Sequence, residues 1–333
     1  MTTEAPPVPK AFVWRRLHSF TGIMLAIYLL EHLGTNSQAA LWLGDDGIEF
    51  IRLVNVIHGI PYLQVVEWLL IGIPFLIHGV LGVRIALQGR SNSRKSDGSR
   101  PALPQYSRNR AYTWQRISAW ILLFGVVAHV IHMRIIRQPK TIVAGREQTY
   151  VVKLDNDPGL PLVAGRLQVA LYDSSQIQKE QQLLQARQRA ANIAALAIQK
   201  QPLDSPAAEE IITPLRVEQQ QVQLFSSFVN TLLSYNLGPS QLLGVTSDYG
   251  AAMLLMVRNA MSIPWICILY TVFVLSASFH AYNGVWTAMV SWGIVMSQRS
   301  QRRAALFCSF LVWLFSFLGL AAVWGTYWIN LRT

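Results

Sequence analysis

Residues 264–296, PWICILYTVFVLSASFHAYNGVWTAMVSWGIVM, contain no Asp, Glu, Lys or Arg. A hydrocarbon core about 30 Å thick is crossed by roughly 20 apolar helical residues, so this stretch reads as a membrane span. It is longer than one crossing needs, which predicts a helix that tilts or projects beyond the bilayer. Outward from it, four further runs qualify: Leu17 to Leu33, Tyr62 to Leu87, Thr113 to Ile136 and Ala304 to Trp328. With 52% apolar residues against 14% charged, the 333-residue chain is too apolar for an ordinary soluble domain. The expected fold is an all-α integral membrane bundle of five transmembrane helices. A mixed, mainly helical extracytoplasmic insertion is expected between the third and fourth.

The net charge of +11 does not point to nucleic acid, because Lys and Arg gather beside the apolar runs, where they set topology. Lys10, Arg15 and Arg16 precede the first run. Arg90, Arg94, Lys95, Arg100, Arg108 and Arg110 separate the second from the third, and Arg299, Arg302 and Arg303 separate the fourth from the fifth. Between the first and second runs stand Asp45, Asp46 and Glu49 against Arg52. The positive-inside rule therefore predicts a cytoplasmic N-terminus and an external C-terminus in a bacterial-type cytoplasmic membrane. The N-terminal MTTEAPPVPKAFVWRRLHS lacks a cleavage pattern, so the first run is read as a retained span. The chain divides into 1–136, with the tail and helices one to three, a polar insertion 137–261, and 262–333 with helices four and five. In the insertion, TYVVKLDNDPGLPLVAGRLQVALYD (149–173) reads as a β-hairpin about its Pro and Gly-rich break. Ser174 to Gln201 and Leu215 to Tyr235 read as a helical pair separated by Pro202 and Pro206, packed on the outer ends of the spans.

Two cysteines, Cys267 and Cys308, both within apolar runs, leave no thiolate metal site or disulfide framework, so a redox centre would have to use histidine. Of the seven histidines, none falls in the polar insertion. An ionisable side chain inside a bilayer is costly and functional by default. At 1.5 Å rise per residue, His32 lies about 24 Å beyond Arg16 and His129 about 20 Å beyond Arg116, both in the outer half. His78 lies about 9 Å from Arg84 and His280 about 24 Å from Pro264, both in the inner half. Two pairs at two depths, each drawn from two helices, is what two stacked bis-imidazole haems require. Gly79, Gly82, Gly125 and Gly284 would leave room for flat macrocycles, or allow close helix packing. The pattern alone is open between two haems, one haem, proton-relay histidines and histidines satisfied by neighbouring helices. His132, one turn beyond His129, is placed nearer the outer interface. His18 and His58 sit at opposite membrane boundaries, as interfacial residues or as contacts of a haem propionate or quinone. Arg15, Arg16 and Arg299 are anchors that could also meet a propionate.

At these residues the chain resembles the cytochrome b anchor subunit of succinate dehydrogenases and fumarate reductases, of the single-polypeptide, five-helix, two-haem type. The motifs are WRRLHSFTGI (14–23), EHLGTN (31–36), FLIHGVLGVRIAL (75–87), YTWQRISAW (112–120), VAHV (127–130) and FHAYNGVWTAMVSWGIVMSQRSQR (279–302). The resemblance implies axial ligation by His32 with His129 and by His78 with His280, giving two haem b. It also implies a quinone, expected to be menaquinone, and a flavoprotein and an iron–sulfur subunit docked on the cytoplasmic face, in a complex open to dimerisation or higher assembly. Succinate itself would not be handled by this chain. The sequence departs from the family in its long insertion and at HGIPY (58–62), where some relatives carry an acidic residue near the outer quinone; Glu67, His58 and Glu31 remain as polar candidates there. Rival readings are a cytochrome b of another dehydrogenase or hydrogenase, and a haem-free anchor or proton-conducting bundle.

Overall fold

A computed structural model of the chain describes residues 8–40, 47–89, 105–144, 147–199 and 206–328. Asp45, Asp46, Arg90, Arg94, Lys95, Arg100 and Pro202, used above for topology and as a helix break, lie outside the described residues. The described residues form two compact units, one of those up to 136 together with 260–328, the other of those from 137 to 259.

The first unit is a helical bundle. Its elements are α1 (Lys10–Ser37), α2 (Ile48–His58), α3 (Leu63–Glu67) running through a π-helical turn Trp68–Gly72 into α4 (Ile73–Gln88), and α5 (Ser107–Val130), extended by a π-helical stretch Ile131–Ile136. Among the described residues four helices are long and apolar enough to cross a membrane: Leu63–Gln88, Ser107–Ile136, Pro264–Ser291 and Gln298–Trp328. A chain with four such helices is a multi-pass membrane protein. The first helix is long enough too, but His18, Glu31 and His32 dilute its apolar run and keep it out of that set. The long uncharged run at 264–296 does not form one overlong helix. It ends at Ser291, and Gly293 turns the chain with φ +74, a conformation open to glycine. The last helix starts earlier than its apolar run, because Ser297 and Ser300 form a reciprocal cap that draws Gln298 and the following arginines into the first turns.

Many buried positions of the bundle are small or weakly polar, beside a few large ones such as Phe50 and Phe315. Buried positions include Thr21, Ser118, Cys267, Ser278, Asn283, Ala288, Ala304 and Cys308, while Val80, Leu306 and Trp313 are exposed at the periphery. Lipid tails are as apolar as leucine, so helices in a bilayer gain by close packing of small residues rather than by hiding large ones. Gly319 shows this directly: a β-carbon there would collide with Val274 and crowd Leu33, where three helices meet.

The second unit combines helices with an antiparallel sheet, an α+β arrangement. Strands β1 (Lys140–Ala144), β2 (Glu147–Asp155), β3 (Ala170–Tyr172) and β4 (Gln241–Thr246) form an antiparallel sheet in the order β1-β2-β4-β3. Between them come α6 (Leu160–Arg166), α7 (Ser174–Gln199) and α8 (Pro206–Leu233), and α9 (Tyr249–Met261) follows. The expected hairpin is corrected: β2 does not pair with β3 but with β1, and β4 lies between β2 and β3. The Pro and Gly-rich break folds instead into α6, entered through an Asp157 side chain that accepts from Gly159 N–H. The helical pair is present as α7 and α8, the second starting at Pro206 and running through Pro214. Ile177 and Leu232 of this pair form a buried cluster with Ile142, Val151 and Leu243 of the sheet, flanked by Tyr172 and Phe228. On the opposite face Val152, Leu154 and Val169 close over Gly244, which has no side chain to hold them off.

Candidate cofactor site: two histidine pairs

The bundle brings four of its histidines together as two separate pairs. His32 on α1 faces His129 on α5, with ring centroids 5.8 Å apart and planes at 87°. His78 on α4 faces His280 on α10 (Pro264–Ser291), with centroids 6.2 Å apart and planes at 78°. Each pair bridges two different helices, so neither is a consequence of local helical spacing.

In all four rings the hydrogen bond is made at Nδ1. His78 Nδ1–H donates to the His18 carbonyl at 3.0 Å. A carbonyl can only accept, so that proton sits on Nδ1 and the lone pair on Nε2. His280 Nδ1 lies 3.2 Å from the Ser118 hydroxyl, His32 Nδ1 3.2 Å from the Tyr28 hydroxyl, and His129 Nδ1 2.9 Å from the Tyr270 hydroxyl. None of the four Nε2 atoms has a protein hydrogen-bond partner among the described residues. Anchoring one ring nitrogen and leaving the other for a metal is the usual device that orients a histidine ligand.

The spacing can be tested against a cofactor. With metal–imidazole bonds of about 2.0 Å and each ring centre about 1.1 Å behind its bonding nitrogen, two imidazoles on one metal have centres roughly 6.2 Å apart. The observed 5.8 and 6.2 Å agree with that span. Among the described residues no group of three or more His, Cys, Asp or Glu could hold a metal ion. Two imidazoles occupy only two positions of a six-coordinate iron, and a porphyrin supplies the other four. The residues present therefore fit haem. One further observation agrees: His18 Nδ1, beside the His78–His280 pair, is buried with no hydrogen-bond partner among the described residues.

The other expected contacts divide. His18 does more than mark a boundary, since its ring stacks on His78 with centroids 4.0 Å apart and planes at 18°. Gly22, one turn on, has His78 so close that a β-carbon would lie 2.8 Å from its Cε1. Arg16 sits between Phe12 and Trp292, 4.8 Å from each ring centroid, and Trp292 Nε1–H donates to Ser19. Arg15, His58 and Arg299 are exposed and form part of neither pair. Glu67 is ion-paired with Arg134 at 2.8 Å, beside a groove of about 500 Å³ lined by Gln64, Val65, Glu67, Trp68, Leu69 and Arg134. Glu31 is exposed and accepts from Thr35. Of the four glycines, Gly79 borders open space, whereas Gly125 is filled by Phe273.

Sequence reading missed the residues that orient the rings. Tyr28 could have been found, since it precedes His32 by four residues and so shares its helix face. Tyr270, Ser118 and Gln115, whose amide donates to the His280 carbonyl at 3.2 Å, reach across from other helices. No spacing within one helix announces them.

No family model matches the chain, and no solved structure matches it. It is similar to the succinate dehydrogenase cytochrome b558 subunit of Bacillus subtilis (strain 168), with 31% identity over 131 residues. That stretch is 39% of this chain and 58% of that protein, so the chain spans somewhat over half the length of the relative it matches.

Proposed function

We propose that the chain is a dihaem cytochrome b that anchors a succinate dehydrogenase or fumarate reductase to the membrane and passes electrons between its iron–sulfur subunit and a quinone. The observation that carries this reading is the double pairing: two histidine pairs, each near 6 Å between ring centres, all four rings tied at Nδ1. The resemblance of the membrane motifs and the similarity to a succinate dehydrogenase cytochrome b558 subunit support the enzyme class.

In this reading α1 is a fifth crossing, the N-terminus is cytoplasmic, and residues 137–261 lie outside. His78 and His280 hold the inner haem, next to the flavoprotein and iron–sulfur subunits, while His32 and His129 hold the outer one. Haem held by two neutral imidazoles supplies one-electron exchange at a low-spin, six-coordinate iron. The protein's part is to fix the imidazoles: the His18 carbonyl and Ser118 hydroxyl hold the inner rings, and the Tyr28 and Tyr270 hydroxyls the outer ones. Arg16, immobilised between two aromatic rings, and His18 are the candidates to meet an inner propionate. The quinone, of menaquinone type, is assigned to the outer half. Support comes from the groove lined by Gln64, Val65, Glu67, Trp68, Leu69 and Arg134, in which Glu67 and Arg134 form an ion pair.

The test is a reduced-minus-oxidised optical spectrum with haem-to-protein stoichiometry on the purified chain. Two b-type haems per polypeptide are expected. One haem, or none, overturns the reading.

A further inference from the structure

His129 and His132 lie three residues apart, and the helix changes from α to π register at Ile131 between them. One side chain serves both. The Tyr270 hydroxyl on α10 is 2.9 Å from His129 Nδ1 and 3.5 Å from His132 Nδ1, with ring centroids 5.6 and 6.4 Å away. A phenol has one hydrogen to give and lone pairs to receive. A neutral imidazole has one N–H and one lone pair. These two facts make the three groups a coupled set, in which the direction of one hydrogen bond biases the other.

The direction follows from the ring opposite. His32 faces His129, and on the dihaem reading, on which this inference rests, His129 must keep its Nε2 lone pair for iron. Its proton is then on Nδ1 and is donated to the Tyr270 oxygen. The tyrosine's own hydrogen is released toward His132 Nδ1, a longer and weaker contact. An Nδ1 that accepts belongs to an imidazole whose proton is on Nε2, and that nitrogen cannot ligate a metal. We propose that Tyr270 is a positioning residue that sorts the two histidines into opposite tautomers, making His129 competent to bind iron through Nε2 and His132 incompetent.

The arrangement has a second consequence. A hydrogen bond accepted from the N–H of a ligating imidazole makes that ligand more basic. A more basic ligand favours ferric iron, so the Tyr270 hydroxyl holds the potential of the His32–His129 haem down. The aromatic body of Tyr270 packs on Phe273, with centroids 6.2 Å apart. Tyr270→Phe therefore removes the hydroxyl while leaving the packing surface.

The experiment is an optical redox titration with low-spin electron paramagnetic resonance on the purified full chain, for wild type, Tyr270→Phe, His132→Gln and His129→Ala. Tyr270→Phe is expected to keep both haems, to raise the midpoint potential of one, and to shift the low-spin signal of that haem alone. His132→Gln is expected to keep both haems, and His129→Ala to lose one. Should Tyr270→Phe not accumulate, His132→Gln carries the test, because loss of a haem there overturns the sorting. Two haems in wild type with an unmoved potential in Tyr270→Phe sink this inference alone. A wild type without haem sinks it together with the functional reading.

Discussion

The imidazole of His18 lies face to face on that of His78, with ring centroids 4.0 Å apart and planes at 18°, while the backbone carbonyl of His18 accepts the His78 Nδ1–H. One residue thus holds its neighbour in two separable ways. The carbonyl decides which nitrogen of His78 carries the proton, and the ring decides where the imidazole can lean. His18→Ala deletes only the second. It is expected to leave two haems bound but to weaken the hold on the inner one by about 1 kcal/mol, the usual worth of an aromatic pair. Thermal haem release followed by the Soret band reads this. Complete loss of one haem would mean that the ring, not the carbonyl, sets the site.

At Gly22 α1 passes so close to that imidazole that a methyl group has no room. Gly22→Ala should displace His78 and lower the occupancy of one haem while sparing the other. Gly34→Ala, at a glycine of the same helix where a β-carbon would meet nothing within 4 Å among the described residues, is the matched control and should keep both. Equal haem loss in the two variants would assign the effect to α1 as a whole.

The second unit has its own core, which can be probed without touching the histidines. Leu232 is completely buried between α8 and the sheet. Leu232→Ala should cost about 2–5 kcal/mol through lost contacts and the cavity left behind. Hydrogen exchange on the full chain should show β2 and β4 amides losing protection, with unchanged haem content.

Asp157 gives that unit a pH dependence. Its carboxylate accepts two bonds from Arg258, at 2.6 and 2.7 Å. Burial works to raise the carboxyl, but the bonds and charge of Arg258, with the amides of Gly159 and Leu160, outweigh it and hold the group below its ordinary 3.8. A carboxyl depressed in the folded state contributes stability that is full above its unfolded value and disappears as pH falls through the lower, folded one. Exchange protection around α6 and α9 should therefore be flat from neutral pH down to about 4 and fall below it. Asp157→Asn should lower protection at neutral pH, on the order of 2–3 kcal/mol, less than for a fully buried pair because the carboxylate is 31% exposed. It should also flatten the acid limb.

Glu67→Gln tests the groove beside Glu67 and Arg134. On the proposed reading, removing the charge that pairs with Arg134 should leave the haem content unchanged and change quinone turnover, seen as a several-fold rise in KM, an exposed pair being worth about 1 kcal/mol. A haem deficit would place Glu67 in the architecture of the bundle instead.

The membrane character of this protein and its helical runs were determined by sequence alone, because the bilayer imposes a length and a polarity that any chain must meet locally, while the choice of four histidines came from their depth along those runs together with the family resemblance. A run without charge from 264 to 296 and a histidine within it are visible to anyone who counts residues. What tertiary structure decided was everything that crosses between elements. The turn at Gly293 shortens that run, β4 enters between β2 and β3, and Tyr270 and Ser118 reach imidazoles on other helices. Helical periodicity reports which face a residue occupies but not what stands opposite. For that reason His18, read as a boundary residue from its position in the chain, became the surface on which His78 rests only when α1 and α4 were brought side by side.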